Sequence, residues 1–236
     1  MEDQPLGRLG PSRIAPYERA ALFADWMERR GLAGRVILLD QNPDIPVGKP
    51  AIEAAFAELY PNRIEHRKGI EQIAIDTGAR NVIAGGETIR YELAVLVPPM
   101  KAGRLLTTAG LAQRWAPVRL PHFLAEGDDD IYIIGDSVAS ILPKSGHVAF
   151  ESGMHVAHHI AARAAGAEPE ASTSLPSAIC FAFFNGQEAM AVNISNTWDD
   201  FTKEIQREAR VDGARSAEAA EQARIWAEQM WWQLTS

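Results

Sequence analysis

Cysteine is almost absent from this chain, because Cys180 is the only one among its 236 residues. A single thiol excludes an intramolecular disulfide and every zinc site that is built on paired cysteines.

Basic clusters and long apolar runs are also missing. The formal net charge is -8, and no stretch of Lys and Arg is available to neutralise phosphates, which excludes nucleic acid as a partner. A small molecule or a basic protein fits this charge better. No apolar run approaches the length of about 20 residues that a transmembrane helix needs. The first residues, MEDQPLGRLGPSR, lack the apolar core of a signal peptide.

The glycine fingerprint of dinucleotide-binding domains is the third absence. A bound dinucleotide places its pyrophosphate on a G-x-G-x-x-G turn between a strand and a helix. Gly7 and Gly10 have no strand before them, and Gly85-Gly86 falls in a predicted hairpin. The sequence therefore offers no cradle for a pyrophosphate.

The most informative segment that is present is IYIIGDSVASILPKSG, residues 131–146. Its apolar start, Ile131 to Ile134, predicts a strand that is buried on both faces. Gly135 and Asp136 follow at the carboxyl end of that strand. Ligands of open α/β sheets bind at such ends, so Asp136 is predicted to accept hydrogen bonds from ligand hydroxyls.

The same segment ends where a long helix is predicted to begin. The first N–H groups of a helix have no partner within it, and the helix dipole is positive there, so this end favours an electron-rich ligand atom. The residues at the helix start are Pro143, Lys144, Ser145 and Gly146.

Together these residues resemble a known family. The run YIIGDS, followed by PKSGHVAFESG, is similar to the second flavin-contacting segment of the flavoprotein subunit of flavocytochrome c sulfide dehydrogenase. Four further segments match in the same order along the chain. They are PYERA at 16–20, VILLD at 36–40, VPPMKAG at 97–103 and the carboxyl-terminal helix that contains Trp226.

The resemblance implies an α/β fold. It consists of partial FAD/NAD(P)-binding, three-layer Rossmann-like domains and a small α+β cap domain. On this basis residues 1–15 are a lead-in, and 16–97 belong to a second, NAD-type dinucleotide domain. Residues 98–167 form the carboxyl-terminal segment of the FAD-binding domain, and 168–236 form the cap.

The implied cofactor is FAD. By resemblance, Asp136 bonds its ribityl or phosphate region, while the start of the following helix stabilises negative charge on the reduced isoalloxazine ring. Pro99 and Lys101 lie near the ring. The full set of expected cofactor contacts is Gly135, Asp136, Pro143, Lys144, Ser145, Gly146, Pro99 and Lys101.

Two features of the resembled family are missing here. Its redox disulfide has one cysteine before the PYERA-like segment and one in a WCPV-like segment, and these positions read Ser12 and Ala116. The amino-terminal flavin-binding half is missing too. We therefore expect either a fragment of a longer product or a separate chain that supplies that half.

The chain also yields expectations for its secondary structure. Apolar periodicity and turn residues predict helices and strands that are bounded by Gly, Pro and Asn-Gly. Helices are predicted from Pro16 to Gly31 and over 50–60, 148–166, 199–210 and 214–233. One short strand is predicted to end at Asp40. Residues 64–97 are predicted to be rich in strands, with hairpin turns at Thr77-Gly78 and Gly85-Gly86 and a last strand from Leu93 to Val97. Two further strands are predicted on either side of an Asn185-Gly186 turn.

Several other residues have two readings. Asp40 either binds a ribose hydroxyl, as acidic residues after a second strand do, or caps its loop. His155, His158 and His159 share a helix and either bind a metal or form a partly buried, hydrogen-bonded set, which is favoured. Asp128 to Asp130 lacks the glycine and glutamate of a calcium loop and is interpreted as a solvated turn.

Two further constellations carry less weight. Ser137 beside Asp136 lacks the glycines of a nucleophile elbow, so a catalytic triad is not expected. Trp226, Trp231 and Trp232 either stack on a flavin or guide an electron partner, or they belong to the core, which is favoured.

The resemblance thus implies a FAD-dependent oxidoreductase that passes electrons from a small reductant to a cytochrome or quinone, and no catalytic or metal-binding side chains are expected in this chain. Sulfide oxidation is not expected without the cysteine pair. The partners implied are a c-type cytochrome subunit and the missing flavin half. The implied location is the periplasm, with the cytoplasm as the alternative. The rival function is a non-catalytic module that retains the fold.

Overall fold

The computed structural model describes residues 14–97, 99–167 and 173–235. Ser12, most of the lead-in and part of the linker before Pro176 lie outside these residues. The chain divides into two compact units. Unit 1 comprises residues 1–98, 181–191 and 211–236, and unit 2 comprises 99–180 and 192–210. The assignment of segments to a dinucleotide domain, a flavin domain and a cap stays a prediction.

Helices and strands are mixed throughout, as expected for an α/β protein. The helices are α1 (Ala15–Arg29), α2 (Lys49–Leu59), α3 (Arg104–Thr108), α4 (Gly146–Ala164) and α5 (Ala217–Thr235). The strands are β1 (Val36–Leu39), β2 (Ile64–Arg67), β3 (Ile73–Asp76), β4 (Asn81–Ala84), β5 (Glu87–Arg90), β6 (Val118–Arg119), β7 (Leu124–Ala125), β8 (Ser174–Phe183), β9 (Ala189–Asp199) and β10 (Glu204–Ser216).

Unit 1 contains the parallel pair of strands. β1 and β2 pair in parallel with Val36 opposite Ile64, and α2 connects them. β3, β4 and β5 form an antiparallel meander, so the predicted turns at 77–78 and 85–86 are confirmed. The predicted strand Leu93 to Val97 is wrong. This segment has no strand partner, and its apolar side chains are exposed.

Unit 1 also contains the tip of the β8–β9 hairpin and α5. The Tyr60 hydroxyl donates to the Phe184 carbonyl over 2.5 Å, which joins the end of α2 to the hairpin. Ala189 of the hairpin packs on Ala219 and Ala220 of α5. Small side chains let the helix approach the strand closely, and the predicted hairpin at Asn185-Gly186 is confirmed.

The predicted helix over 199–210 is wrong, because these residues contain a turn and the first half of β10. The order of the sheet is β10-β9-β8. Asp199 Oδ1 accepts from the N–H groups of Phe201 and Thr202, which closes the turn between β9 and β10. Good helix formers such as Glu204 and Arg207 therefore lie in a strand, because pairing with β9 overrides local propensity.

Unit 2 has its own apolar core. It is built around Phe123, Ile133, Val138 and Val148, with half-buried residues such as Trp198 packed against it. The predicted strand Ile131 to Ile134 is wrong. Tyr132 makes one isolated antiparallel bridge to Leu124, while Ile131 and Ile134 are exposed.

The edge strand β8 donates several main-chain N–H groups to side chains. In unit 2, the Ser177 N–H donates to Glu151 Oε2 over 2.7 Å, and the Ile179 N–H donates to His147 Nδ1 over 3.2 Å. In unit 1, the Phe183 N–H donates to Glu18 Oε1 over 2.9 Å. The Glu18 pKa is raised by burial, which the Phe183 hydrogen bond partly offsets.

Across the three described ranges, no helix combines the length and apolar character needed to cross a bilayer.

Candidate functional site

The segment singled out by the sequence forms a tight turn in unit 2. Residues Gly135–Ser137 adopt one 3₁₀ turn, and the next residue, Val138, makes a parallel bridge to Ala116. Asp136 is thus presented by a turn rather than by the end of a buried strand.

The carbonyls of this turn all have donors. The Gly135 carbonyl accepts from the Val138 N–H, and the Ser137 carbonyl accepts from the Ala116 N–H over 2.9 Å. The Asp136 and Val138 carbonyls both accept from the Lys144 ammonium, over 2.7 and 2.8 Å. A turn with every carbonyl satisfied has few alternative conformations to adopt.

The backbone conformation and the packing at position 135 both require glycine. Its φ of +67° lies in the left-handed region, and a Cβ there would stand 3.2 Å from the Ala149 Cβ on α4. Both backbone conformation and close packing thus select glycine. The turn is thereby held against the first turns of α4.

The predicted helix start is confirmed. Ser145 is the N-cap of α4, and its Oγ accepts from the Val148 N–H over 3.4 Å. Gly146 opens the helix, and a Cβ at this position would meet no atom within 4 Å. Gly146, the first residue of the 19-residue helix, is exposed, so the start of α4 is open at this residue, whereas the Val148 N–H is already bonded to Ser145.

Lys144 is the least exposed of the predicted contacts, with 9% of its surface accessible. Its ammonium lies 4.0 Å from the centre of the Trp115 indole. Loss of hydration lowers the Lys144 pKa, and the Asp136 carboxylate opposes that shift. Trp115 was not singled out by sequence reasoning, because its position within WAP did not indicate which cation it would meet.

The remaining predicted contacts differ in their exposure and in their hydrogen bonds to the turn. Asp136 is exposed, and its carboxylate has no hydrogen-bond donor among the described residues. Pro99 and Lys101 lie in an exposed segment, which is linked to the turn by a hydrogen bond from the Gly103 N–H to Ser137 Oγ, 3.4 Å long. Pro143 is half-buried.

The missing cysteine position lies directly against this turn. Ala116 is fully buried, and its carbonyl accepts from the Ala139 N–H over 2.7 Å. The main chain of Ala116 is thus hydrogen-bonded to Ser137 and to Ala139, the two neighbours of Val138, and its methyl group belongs to the unit 2 core. The other position, Ser12, lies outside the described residues.

Asp40, at the end of β1 in unit 1, is held by four donors. Its Oδ1 accepts from the main-chain and side-chain nitrogens of Asn42 over 2.8 and 2.9 Å. Its Oδ2 lies 2.6 Å from the Tyr17 hydroxyl and 3.1 Å from His66 Nε2. The carboxylate therefore caps its own loop and has no free oxygen for a ribose hydroxyl.

One histidine of α4, His159, stacks on His122. The rings of His122 and His159 are 4.2 Å apart and nearly parallel, and the Tyr132 hydroxyl lies 2.8 Å from His159 Nδ1. Burial is the main reason that the pKa values of His122, His155 and His159 are lowered. Within the described residues, no group of three His, Cys, Asp or Glu side chains has the arrangement of a metal site.

The tryptophans of α5 differ in exposure. Trp226 is half-buried and packs on Phe181, with ring centres 6.0 Å apart. Trp231 and Trp232 are 68% and 71% exposed, so their assignment to the core is wrong. Cys180 is half-buried at the edge of the unit 2 core, which agrees with an apolar packing role.

These residues fit one part of a flavin adenine dinucleotide. The free Asp136 carboxylate suits the hydroxyls of the ribityl chain, and the open start of α4 suits an electron-rich ring atom. The pyrophosphate has no counterpart, since the sequence contains no glycine fingerprint and Asp40 is fully bonded. The fit is thus restricted to the ribityl and isoalloxazine portion.

Comparison with known families supports a flavoprotein relationship. Residues 11–98 match the family described as the central part of the sulfide dehydrogenase (flavocytochrome c) flavoprotein chain. The matched range contains the PYERA and VILLD segments, whereas residues 131–146 lie beyond it.

The fold is also similar to a solved structure of a different kind. A chain of the Tetrahymena thermophila mitochondrial ATP synthase F1Fo composite tetramer superimposes with a TM-score of 0.56 and 14% sequence identity. The alignment covers 74% of this chain and 45% of that chain. At this identity the similarity concerns the fold alone.

Proposed function

We propose that this chain contributes part of the flavin site of an FAD-dependent oxidoreductase related to flavocytochrome c sulfide dehydrogenase. The observation that carries the proposal is the free, exposed Asp136 carboxylate on a fully bonded turn beside the open start of α4. The family match over residues 11–98 supports it independently.

Each residue has a limited task in this proposal. Asp136 accepts hydrogen bonds from ribityl hydroxyls and so orients the chain of the flavin. The first N–H groups of α4 stabilise negative charge on an adjacent ring atom. FAD, when bound, supplies the redox chemistry. Pro99 and Lys101 border the site from the segment that Gly103 links to the turn.

The electron donor is proposed to be a small reductant other than sulfide. Ala116 supplies no thiol, and its methyl group is fully buried, so a persulfide cannot form there. Electrons then pass directly between the donor and the flavin. A c-type cytochrome subunit is the proposed acceptor, the periplasm the proposed location, and another chain or segment the source of the pyrophosphate cradle.

A non-catalytic module is the second candidate. It is favoured by two observations: the carboxylate that would hold a ribose in unit 1 is fully bonded, and the cysteine positions read Ser12 and Ala116. Such a module keeps its fold as a partner subunit. The two candidates differ in one measurable property, which is flavin binding at Asp136.

Titration with riboflavin and FAD tests the proposal. Without a pyrophosphate cradle, the chain should bind both ligands with similar affinities, each weaker than about 1 µM. Asp136→Ala should weaken both by at least tenfold, as loss of a hydrogen bond to a charged group costs about 1.5–3 kcal/mol. Flavin fluorescence quenching and calorimetry provide the measurement.

Glu126→Ala is the matched control, because it removes another exposed carboxylate from unit 2. It should leave both affinities unchanged. If no flavin binds at millimolar concentration, the non-catalytic module is supported. Sub-micromolar FAD binding that Asp136→Ala does not weaken would show that the site lies elsewhere.

A further inference from the structure

Lys144 has no donor left for a ligand. An ammonium group carries three N–H donors. Two of them bond to the Asp136 and Val138 carbonyls, over 2.7 and 2.8 Å. The third is accounted for by the face of the Trp115 indole, 4.0 Å from the nitrogen. Lys144 therefore has an internal role rather than that of a flavin contact.

The environment of Trp115 favours its contact with Lys144. Only 5% of its surface is exposed, and its Nε1 is buried without a hydrogen-bond partner within the described residues. An unsatisfied indole N–H carries a free-energy cost, so this ring is not held by its polar atom. Its π face, by contrast, contacts the Lys144 ammonium, which is the only buried ammonium among the described residues of unit 2.

The bonds from Lys144 fix the orientation of two peptide groups. In a trans peptide the carbonyl and the following N–H point in opposite directions. Because the Asp136 carbonyl points at Lys144, the Ser137 N–H points away from it. The Asp136 side chain starts at this fixed peptide, and its carboxylate remains exposed. Loss of the ammonium would leave the Asp136 carbonyl without a donor, while the Val138 carbonyl would keep only the Ser140 N–H, 3.0 Å away. The Asp136 peptide would then have to rotate to find another donor.

We propose that Lys144 and Trp115 are positioning residues, which clamp the turn Gly135–Ser137 so that Asp136 faces the ligand. The assignment to a flavin ligand rests on the proposed function. The clamp itself is a property of the free protein. Lys144 acts through the two carbonyls, and Trp115 acts through Lys144.

The free protein provides the first test. Lysine acylation followed by mass spectrometry should leave Lys144 at least tenfold less reactive than Lys203, which is exposed and pairs with Asp200 near its own turn. Lys144→Met should speed amide hydrogen exchange at Val138 and Ala139 by at least tenfold. Trp115→Leu should raise Lys144 reactivity, whereas Trp115→Phe keeps a π face and should remain close to the wild type.

Flavin binding provides the second test, by a double-mutant cycle. Lys144→Met should weaken riboflavin binding by about tenfold when Asp136 is present, and should have no further effect in the Asp136→Ala background. Lys203→Met is the control and should change neither exchange nor affinity. A merely structural residue would lower the thermal midpoint without this dependence on Asp136.

The outcomes separate the two proposals. Unchanged exchange at Val138 and Ala139 in Lys144→Met, with a folded spectrum, overturns the clamp. Additive losses in the cycle overturn it as well, because they mean that Lys144 contacts the ligand directly. Absence of riboflavin binding to the wild type overturns the proposed function, and the exchange and acylation results then decide the clamp alone.

Discussion

Two glycines of the proposed site are expected to respond oppositely to the same substitution. Gly135→Ala forces a side chain into a left-handed conformation and against the Ala149 Cβ at 3.2 Å, so it should destabilise the protein by about 1–3 kcal/mol. Gly146→Ala places a methyl group in open space within a helix and should be neutral or stabilising by up to about 1 kcal/mol. Urea denaturation of both variants checks this. Equal destabilisation would mean that the packing at Gly135 is not the cause.

The second prediction at this scale concerns Asp40. Asp40→Asn exchanges one acceptor oxygen for an amide nitrogen beneath the Tyr17 hydroxyl and His66, so it should cost about 1.5–3 kcal/mol of unfolding free energy. Glu92→Gln makes the same chemical change at an exposed carboxylate of unit 1 and should cost almost nothing. NAD titration should detect no binding that depends on Asp40. An Asn variant as stable as the wild type would show that the network is dispensable.

Residue roles were only partly predictable from sequence. The positions of Ser145 and Gly146 at the start of a helix were predicted, because helix starts are marked by a local sequence pattern. Lys144 and Trp115 are 29 positions apart in the chain, and no local pattern indicates that a cation will meet that ring. Asp40 was left with two readings because its donors, Tyr17 and His66, come from α1 and β2. The contact between Tyr17 and Asp40 also affects the tyrosine, because burial, and to a lesser extent the hydrogen bond to Asp40, raise the Tyr17 pKa.

At the scale of elements, the predictions that held are those with local boundary signals. α1 contains a first-turn proline, α4 has a serine cap, and the β8–β9 hairpin has Asn-Gly at its tip. The three that failed are apolar or mixed segments whose fate depends on a pairing partner. Residues 131–134 make only one isolated bridge, to Leu124, and residues 93–97 form no strand with the described residues, while 204–210 pair with β9. Strand formation depends on the neighbour more than on the segment itself.

The imidazole stack between α4 and its neighbouring loop should make unit 2 sensitive to acid. The pKa values of His122, His155 and His159 are lowered by burial in the folded protein, so the unfolded chain, with values near 6.5, takes up protons first. Stability should therefore fall as the pH drops from about 7 toward 5. Thermal midpoints measured across this range check it.

Variants isolate the stack from the other acid-sensitive groups. His122→Asn removes one titrating ring of the stacked pair and should reduce the loss of midpoint between pH 7 and pH 5. His158 lies on the same helix but is exposed, and it makes the smallest of the contributions to the His155 pKa, so His158→Gln should retain most of the loss. If both variants lose stability equally, acid sensitivity comes from other residues. The charged or titratable groups that interact with this set are Arg163, Glu151, Tyr132 and His158, and Asp130 is bonded to Arg163.

At the scale of the whole chain, the absence of the cysteine pair leads to a kinetic prediction. The chain, given FAD and a c-type cytochrome, should not reduce that cytochrome when sulfide is added, because neither Ser12 nor Ala116 can form a persulfide. Ala116→Cys should not restore the reaction. It adds a sulfur atom to a fully buried position and should instead destabilise the protein by about 1–3 kcal/mol.

Stopped-flow absorbance of the flavin and of the cytochrome gives the measurement. Ala116→Val, which adds a larger volume without a thiol, gives an upper limit for the packing effect. Rapid bleaching of the flavin by sulfide in the wild type would contradict the expectation and would indicate direct reduction of the flavin by sulfide.

The side-chain acceptors along β8 have a consequence for encounters between molecules. An unpaired strand edge is a template onto which another extended chain can add, and growth from such edges leads to aggregates. On β8, Glu151 and His147 already occupy the N–H groups of Ser177 and Ile179, so an incoming strand would have to displace them. Since Nδ1 of His147 accepts from the Ile179 N–H, its Nε2 carries the proton and faces Glu151, 3.3 Å away. Colloidal stability at this edge thus depends on one imidazole remaining an acceptor.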